Sequence, residues 1–189
     1  MKTIYIDNKK KKYSFDLDED TIIYHFSIDN SNDIVINLNK ENINLYYYYS
    51  TINYNDNLFN IRVNHNKSNT NSYVYNHGIN VYENKLHFRV DGYVDKKSYD
   101  CSCNQDNQII NIRDGNSKIW PNLLIDNYDV DANHAAYIGK FREDYLFYLM
   151  SRGINKKSAY KLLIRSLLLF SDSIDMNKIK YFTDEIDKL

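Results

Sequence analysis

The stretch from Pro121 to Arg165 reads PNLLIDNYDVDANHAAYIGKFREDYLFYLMSRGINKKSAYKLLIR, and its apolar spacing changes after Gly139. Before that glycine the pattern is typical of strands and turns. After it, Tyr145, Tyr148 and Leu149 fall on one face of a helix, as residues three and four apart do. We therefore predict a β core over residues 1–138 and a helical subdomain over residues 139–189.

The region before this stretch repeats a strand pattern many times. Polar and apolar residues alternate in Thr3–Ile6, Asp33–Leu38, Leu58–Val63 and Lys85–Val90. Clusters of Asn, Asp and Ser separate these stretches and indicate turns. Short strands at such spacing suit a sandwich, a barrel or a β-helix, and alternation alone does not choose among them. We find no exact internal repeat.

The residues after Gly139 predict three helices. Gly153 is suited to end the first, and Asn155 is suited to cap the second. The second helix, from Lys156 to about Phe170, carries apolar residues over far more than one stripe, so we expect both of its sides to be covered. Ser173 or Asp175 starts a last short helix that ends near Leu189.

Composition bounds the possible functions. With 189 residues the chain fits one domain with a core or one domain with a small appendage. Its net charge of -1 gives no field that favours nucleic acid or a membrane, and we interpret Lys9–Lys12 as a solvated turn. There is no apolar run of membrane-spanning length and no secretory signal, so we expect a cytoplasmic protein. Two cysteines cannot form a disulfide framework.

Two motifs carry a family resemblance. Residues 128–137, YDVDANHAAY, place one histidine, His134, between small residues after an Asp-rich turn. Residues 146–154 read LFYLMSRGI, and Ala159 follows inside the next helix. Together with Pro121 these residues resemble the C-terminal core of the SufB/SufD family, the scaffolds of SUF iron-sulfur cluster assembly. The resemblance covers about the last third of the chain. It implies a right-handed parallel β-helix followed by a small helical subdomain, and a scaffold that is not an enzyme.

The resemblance also implies roles for individual residues. His134 falls on the family histidine at the cluster-binding position. Asp129 and Asp131 are candidates to orient its ring by binding the other ring nitrogen. A B-type paralogue has Glu on either side of that histidine, whereas this chain has Asn133 and Ala135, which favours a D-like identity. The implied cofactor is a transient iron-sulfur cluster shared with a partner, and no nucleotide is bound by the chain itself.

The implied partners are proteins. The family helices dock on the ATPase subunit SufC, and the β-helix pairs with a SufB-like paralogue or with a second copy of the chain. Neither a nucleic acid nor a membrane is expected. The candidate partner-binding residues are Tyr148, Arg152, Gly153, Ile154, Leu163 and Leu167.

The chain departs from the family in two respects. The position of the B-type scaffold cysteine falls on Asp106, and Cys101 and Cys103 are out of register with it. These two cysteines would share one strand face, but two sulfurs do not complete a tetrahedral metal site. The chain is also shorter than typical members. Two alternative interpretations therefore stay open. One is a degenerate paralogue without cluster chemistry, and the other is a carbohydrate-active or surface-binding β-helix whose helices cap its open end.

Structural interpretations stand beside these roles. A lone histidine after an Asp-rich turn is often structural, and Arg152 suits intramolecular capping as well as an interface. Asp126, Asp129 and Asp131 suit solvated turns better than paired glycosidase carboxylates. The remaining histidines, His25, His65, His77 and His87, share no ligand spacing, and His77-Gly78 is predicted to be a turn.

Overall fold

The computed structural model describes residues 1–7, 10–169 and 173–189, which form eleven strands followed by three helices. The strands are Lys2–Ile6 (β1), Lys12–Leu17 (β2), Thr21–Ile28 (β3), Asn32–Leu38 (β4), Asn44–Asn53 (β5), Asn57–His65 (β6), Asn71–Asn80 (β7), Lys85–Val94 (β8), Cys101–Asn111 (β9), Asn116–Ile125 (β10) and Val130–Gly139 (β11). The helices are Glu143–Ser151 (α1), Lys156–Leu168 (α2) and Lys180–Lys188 (α3). The last strand ends at Gly139 and the first helix begins at Glu143, while the division into two domains at residue 139 stays a prediction.

The strands form a parallel β-helix. Odd-numbered strands make one sheet in the order β1-β3-β5-β7-β9-β11, here called sheet A, and even-numbered strands make sheet B in the order β10-β8-β6-β4-β2. Every pairing is parallel, and the chain passes from one sheet to the other along its length. Each strand in one sheet is thus part of the crossover that parallel neighbours in the other sheet require. The predicted β-helix with a small helical subdomain is confirmed.

Alternation decides which side chains fill the interior. Ile23, Tyr47 and Val74 occupy equivalent positions on β3, β5 and β7, and all three are buried between the two sheets. The tyrosine run of β5 is divided in the same way. Tyr47 lies inside, whereas Tyr48 faces outward and stacks on Tyr75 with ring centroids 5.1 Å apart. The period of two therefore separates core from surface within one run of identical residues.

The helices α2 and α3 pack on the outer face of sheet A. Ile52 and Ile79 of the sheet join one apolar cluster with Ile164 and Leu168 of α2 and Phe182 of α3. The expectation that both sides of α2 need cover is therefore met in part by the chain itself, although Leu162 stays 46% exposed. The predicted end of this helix at Phe170 lies outside the described residues, as does Lys9 of the predicted lysine turn.

The end of α2 is fastened to sheet A by two buried polar side chains. The Ser50 hydroxyl donates to the Leu168 carbonyl at 2.7 Å, and His77 Nδ1 lies 2.9 Å from the Leu167 carbonyl. These carbonyls belong to the last turn, where intrahelical donors run out. Both sheet residues therefore pair with carbonyl groups at the end of α2 and also fix its position on sheet A.

Two local predictions are wrong. His77 and Gly78 lie within β7 and not in a turn. Gly78 is needed there because a Cβ would come within 2.8 Å of Leu86 Cδ2 and 2.9 Å of Phe88 Cζ. The last helix begins at Lys180 instead of Ser173 or Asp175, because Asp175 is held in a turn in which its carboxylate accepts the Asn177 amide.

Candidate functional site

The candidate cluster residue His134 lies at an open edge of the β-helix. It sits on β11, the terminal strand of sheet A, where it is paired in register with Gln105 of β9. Its side chain is exposed, and among the described residues no strand pairs with the other edge of β11. His134 therefore lies on a strand whose second edge is unpaired among the described residues.

Asp129 and Asp131, the two residues predicted to orient the His134 ring, form hydrogen bonds with other residues. The Asp129 carboxylate accepts the Asp100 amide at 3.2 Å, and the Asp131 carboxylate accepts the Asn133 side-chain amide at 3.2 Å. Asp131 also lies an odd number of residues from His134, so strand alternation puts them on opposite faces. No contact between either aspartate and His134 is seen among the described residues. That these aspartates orient the His134 ring therefore stays a prediction.

Asp106, at the position expected for the scaffold thiol, belongs to a different cluster. Its carboxylate lies 3.5 Å from Nε2 of His77, and this interaction holds the pKa of Asp106 below its ordinary value despite partial burial. Asp106 also pairs in register with Ala135, the neighbour of His134. A polar connection thus runs from the end of α2 through His77 to the strand beside β11.

The two cysteines share the inner face of β9, as predicted. Cys101 and Cys103 are 2% and 1% exposed, and burial raises the pKa of the Cys103 thiol. Cys101 Sγ lies 3.4 Å from the Thr70 hydroxyl. In the described ranges no three His, Cys, Asp or Glu side chains converge as metal ligands. The cysteines are therefore placed as interior packing residues.

The turn between α1 and α2 has the predicted chemistry. Gly153 adopts φ +86°, and its amide donates to the Met150 carbonyl at 3.0 Å, while Ile154 donates to Leu149 at 3.3 Å. This is the glycine-ended C-terminus expected from the sequence. Asn155 then accepts the Ser158 amide at 2.9 Å and caps α2. Gly153 and Ile154 consequently set the angle of the α1–α2 hairpin.

The α1 helix exposes most of its apolar side chains. Only Leu146 is buried, whereas Tyr145, Phe147, Tyr148 and Met150 are 51%, 76%, 58% and 45% exposed. The Arg152 guanidinium stacks over the Tyr148 ring at 5.4 Å. Tyr148 is among the predicted partner-binding residues and Phe147 is not, although apolar residues on every side of a short helix indicate that one face is unburied.

Leu163 and Leu167, two of the predicted partner-binding residues, lie beside a cavity. Both are half-buried and line a cavity of about 400 Å³ between α2, the start of α1 and the outer face of sheet A. The other lining groups that matter below are Ile110, Tyr137, Phe141 and Tyr145. The cavity is next to the exposed face of α1, because Tyr145 belongs to both.

The described residues thus form a parallel β-helix with an unpaired edge at β11 and a helical hairpin in which most apolar side chains of α1 are exposed. The sequence profile described as "SUF system FeS cluster assembly, SufBD core domain" matches residues 15–167, more than half of the chain. The chain belongs to this SufBD family.

Individual relatives match over a short segment. The chain is 52% identical over 48 residues to the iron-sulfur cluster assembly protein SufD of Bacillus subtilis, which is 25% of this chain and 11% of that protein. It is 48% identical over 46 residues to a SufBD family protein of Mycobacterium leprae, and 37% over 49 residues to one of Pyrococcus horikoshii. These two segments cover 24% and 26% of this chain, and 12% and 11% of the relatives.

None of the helices formed by the described residues is long and apolar enough to cross a membrane.

Proposed function

We propose that this chain is a D-like scaffold subunit of SUF iron-sulfur cluster assembly, without catalytic activity of its own. It docks a SufC-like ATPase through α1 and α2, and it pairs with a SufB-like paralogue through the end of its β-helix. Family membership and the similarity to a protein named SufD support the assignment. Asn133 and Ala135 beside His134 favour the D-like type, because the B-type paralogue has a glutamate on either side of the corresponding histidine.

The observation that carries the docking proposal is the exposed apolar face of α1. Phe147 and Tyr148 are 76% and 58% exposed on a helix of nine residues. Large aromatic groups that cluster on a surface are typical of protein interfaces, because water leaves them on association. The hydrogen-bonded turn at Gly153 holds this face beside α2, so we expect little ordering of the hairpin on binding.

Coexpression with a SufC-like ATPase from the same source tests this proposal. We expect the wild-type chain to copurify with the ATPase and a Phe147→Asp, Tyr148→Asp variant to lose it. Tyr99→Asp, Tyr128→Asp is the matched control, since Tyr99 and Tyr128 are 55% and 107% exposed elsewhere. Circular dichroism checks that each variant is folded. Absence of a wild-type complex, or loss in both variants alike, would refute docking through α1.

The edge of β11 supports pairing with the paralogue. An exposed strand edge presents unpaired backbone donors and acceptors that a second strand can complete. Tyr137 and Ile138 near its end are 46% and 42% exposed. Pairing at this edge would place His134 at the junction of the two subunits.

The cargo of that junction is an iron-sulfur cluster. His134 is a single ligand, so a cluster bound there takes its other ligands from the paralogue, and soft thiolates suit iron best. We expect His134→Ala to lower the iron and sulfide content of the reconstituted three-protein complex without dissociating it. His87→Ala on sheet B is the control. Equal cluster content in both variants would remove His134 from the proposed site.

A further inference from the structure

The α1–α2 hairpin is far more basic than the chain that carries it. Residues 140–168 contain seven Lys or Arg against two acidic residues, whereas the whole chain has a net charge of -1. Lys140, Arg142 and Arg165 are neutralised by ion pairs with carboxylates of the chain. Lys156 and Lys157 are exposed and form no ion pair with a described residue. Their charge is therefore available to a partner.

The cavity beside α1 has apolar walls and a polar part, which is formed by His77, Gln108, Lys140, Arg142 and Ser166. Ile110, Leu163 and Leu167 supply aliphatic walls, and Tyr137, Phe141 and Tyr145 supply aromatic ones. A volume of about 400 Å³ is in the range of pockets that hold a bound group. Interfaces concentrate their binding energy in residues that fill such pockets, with less critical contacts around them. Because Tyr145 links the cavity to the exposed α1 face, one partner surface can cover both.

We propose that the surface docked on α1 and α2 is acidic and inserts an aromatic or aliphatic side chain into the cavity between α2 and sheet A. The occupant is the SufC-like ATPase, so this inference rests on the function proposed above. Lys156 and Lys157 accelerate encounter through long-range attraction, and the inserted side chain slows dissociation. The two parts of the surface therefore control different rate constants.

The charge contribution is tested by association kinetics with the purified ATPase at 50 and 500 mM NaCl. Lys156→Glu, Lys157→Glu lowers the association rate constant at least tenfold at low salt, and the difference shrinks at high salt because ions screen exposed charges. Lys96→Glu, Lys97→Glu is the matched control, since these adjacent lysines are also exposed. Equal rates for both double variants would overturn the electrostatic part.

The cavity contribution is tested by filling it. Ser166 lines the cavity at an exposed position of α2, so Ser166→Trp blocks entry with little change in the core. We expect the Ser166→Trp variant to dissociate from the ATPase at least tenfold faster than Asp184→Trp, an equally bulky change at an exposed position of α3. A dissociation rate within twofold of the control would overturn the cavity part.

The outcomes separate this inference from docking itself. If Phe147→Asp, Tyr148→Asp abolishes binding while the lysine and Ser166 variants bind normally, docking stands and the inference is wrong. If the wild-type chain does not bind the ATPase, the proposed function fails and the inference fails with it.

Discussion

Two histidines inside the β-helix make its stability depend on pH. His25 has Nδ1 2.7 Å from the Tyr47 hydroxyl, and His65 lies between the hydroxyls of Thr70 and Ser72 at 2.8 Å. Burial lowers the pKa of His25 to about 3 and that of His65 to about 4. In the unfolded chain both titrate near the ordinary value of 6.5. Their contribution to stability is complete above that pH and is lost as pH falls below it, since only the unfolded chain then takes up protons.

This linkage predicts a measurable loss in mild acid. At pH 5 each histidine costs on the order of 2 kcal/mol of unfolding free energy relative to pH 7. His25→Asn keeps a short polar group near Tyr47 and removes the titration, so about half of the histidine-dependent loss should disappear. Denaturant unfolding of wild type and variant at pH 7 and pH 5 measures the difference. Identical pH dependence in the two proteins would contradict the assignment.

Gly78 illustrates a residue whose role is visible only in three dimensions. Its Cβ position is blocked by side chains of Leu86 and Phe88 from the opposite sheet. Gly78→Ala should therefore destabilise the protein by about 1–3 kcal/mol through overpacking. Denaturant midpoints measure this, with Ser14→Ala at an exposed position of β2 as the alanine control. A stability equal to wild type would mean that the two side chains move aside freely.

At the scale of elements, local patterns predicted strands and helix ends but not the order of pairing. Alternation identified β1, β4, β6 and β8, and the glycine and asparagine signals located the α1–α2 turn. The coils differ in length, however: Ile4 pairs with Ile23, 19 residues on, whereas Asn71 pairs with Ser102, 31 residues on. Such unequal coils leave no sequence repeat, so the β-helix was reached through the family resemblance.

Helix positions were harder to predict than helix ends. The apolar surface of α2 indicated that it needs cover but did not say whether sheet, helix or partner provides it. Its cover comes mainly from the outward side chains of sheet A, whose polar members Ser50 and His77 gave no signal in the sequence. These contacts join residues 118 and 90 positions apart, beyond the reach of any local pattern.

The Ser50 contact predicts a local change in dynamics. Ser50→Ala leaves the Leu168 carbonyl buried without its donor, which costs about 1–3 kcal/mol. The loss falls on docking of α2 and not on the strand ladders, so amides of α2 should exchange hydrogen faster while those of β5 and β7 keep their protection. Ser14→Ala on exposed β2 is the control. Uniformly faster exchange across both regions would point to global destabilisation instead.

At the scale of the whole molecule, the two proposed binding surfaces lie on different elements, the edge of β11 and the face of α1, and Tyr137 adjoins both. Helices α2 and α3 pack on the outer face of sheet A, whereas the outer face of sheet B carries paired polar side chains beside the exposed Leu58, Trp120 and Leu124. On that face Asp91 accepts hydrogen bonds from Arg62 at 3.1 Å and Asn122 at 2.8 Å. Burial alone would raise the pKa of Asp91, but these bonds and the charge of Arg89 lower it. Polar groups that are already paired in this way offer less to a partner than the backbone edge of β11 and the exposed apolar face of α1.

Because the β11 edge and the α1 face are different elements, we predict that binding of the two partners can be lost independently. Ile138→Glu places a charge at the end of β11, where an apolar side chain is now 42% exposed, and desolvating it would oppose strand pairing. We expect the dissociation constant for a SufB-like paralogue to rise at least tenfold in sedimentation experiments, while ATPase binding changes less than twofold. Leu58→Glu, which alters a 40% exposed leucine on sheet B, should leave both interactions intact. If Ile138→Glu keeps its melting temperature and still binds the paralogue normally, pairing does not use the β11 edge. If it loses both partners together, the two surfaces are coupled instead of independent.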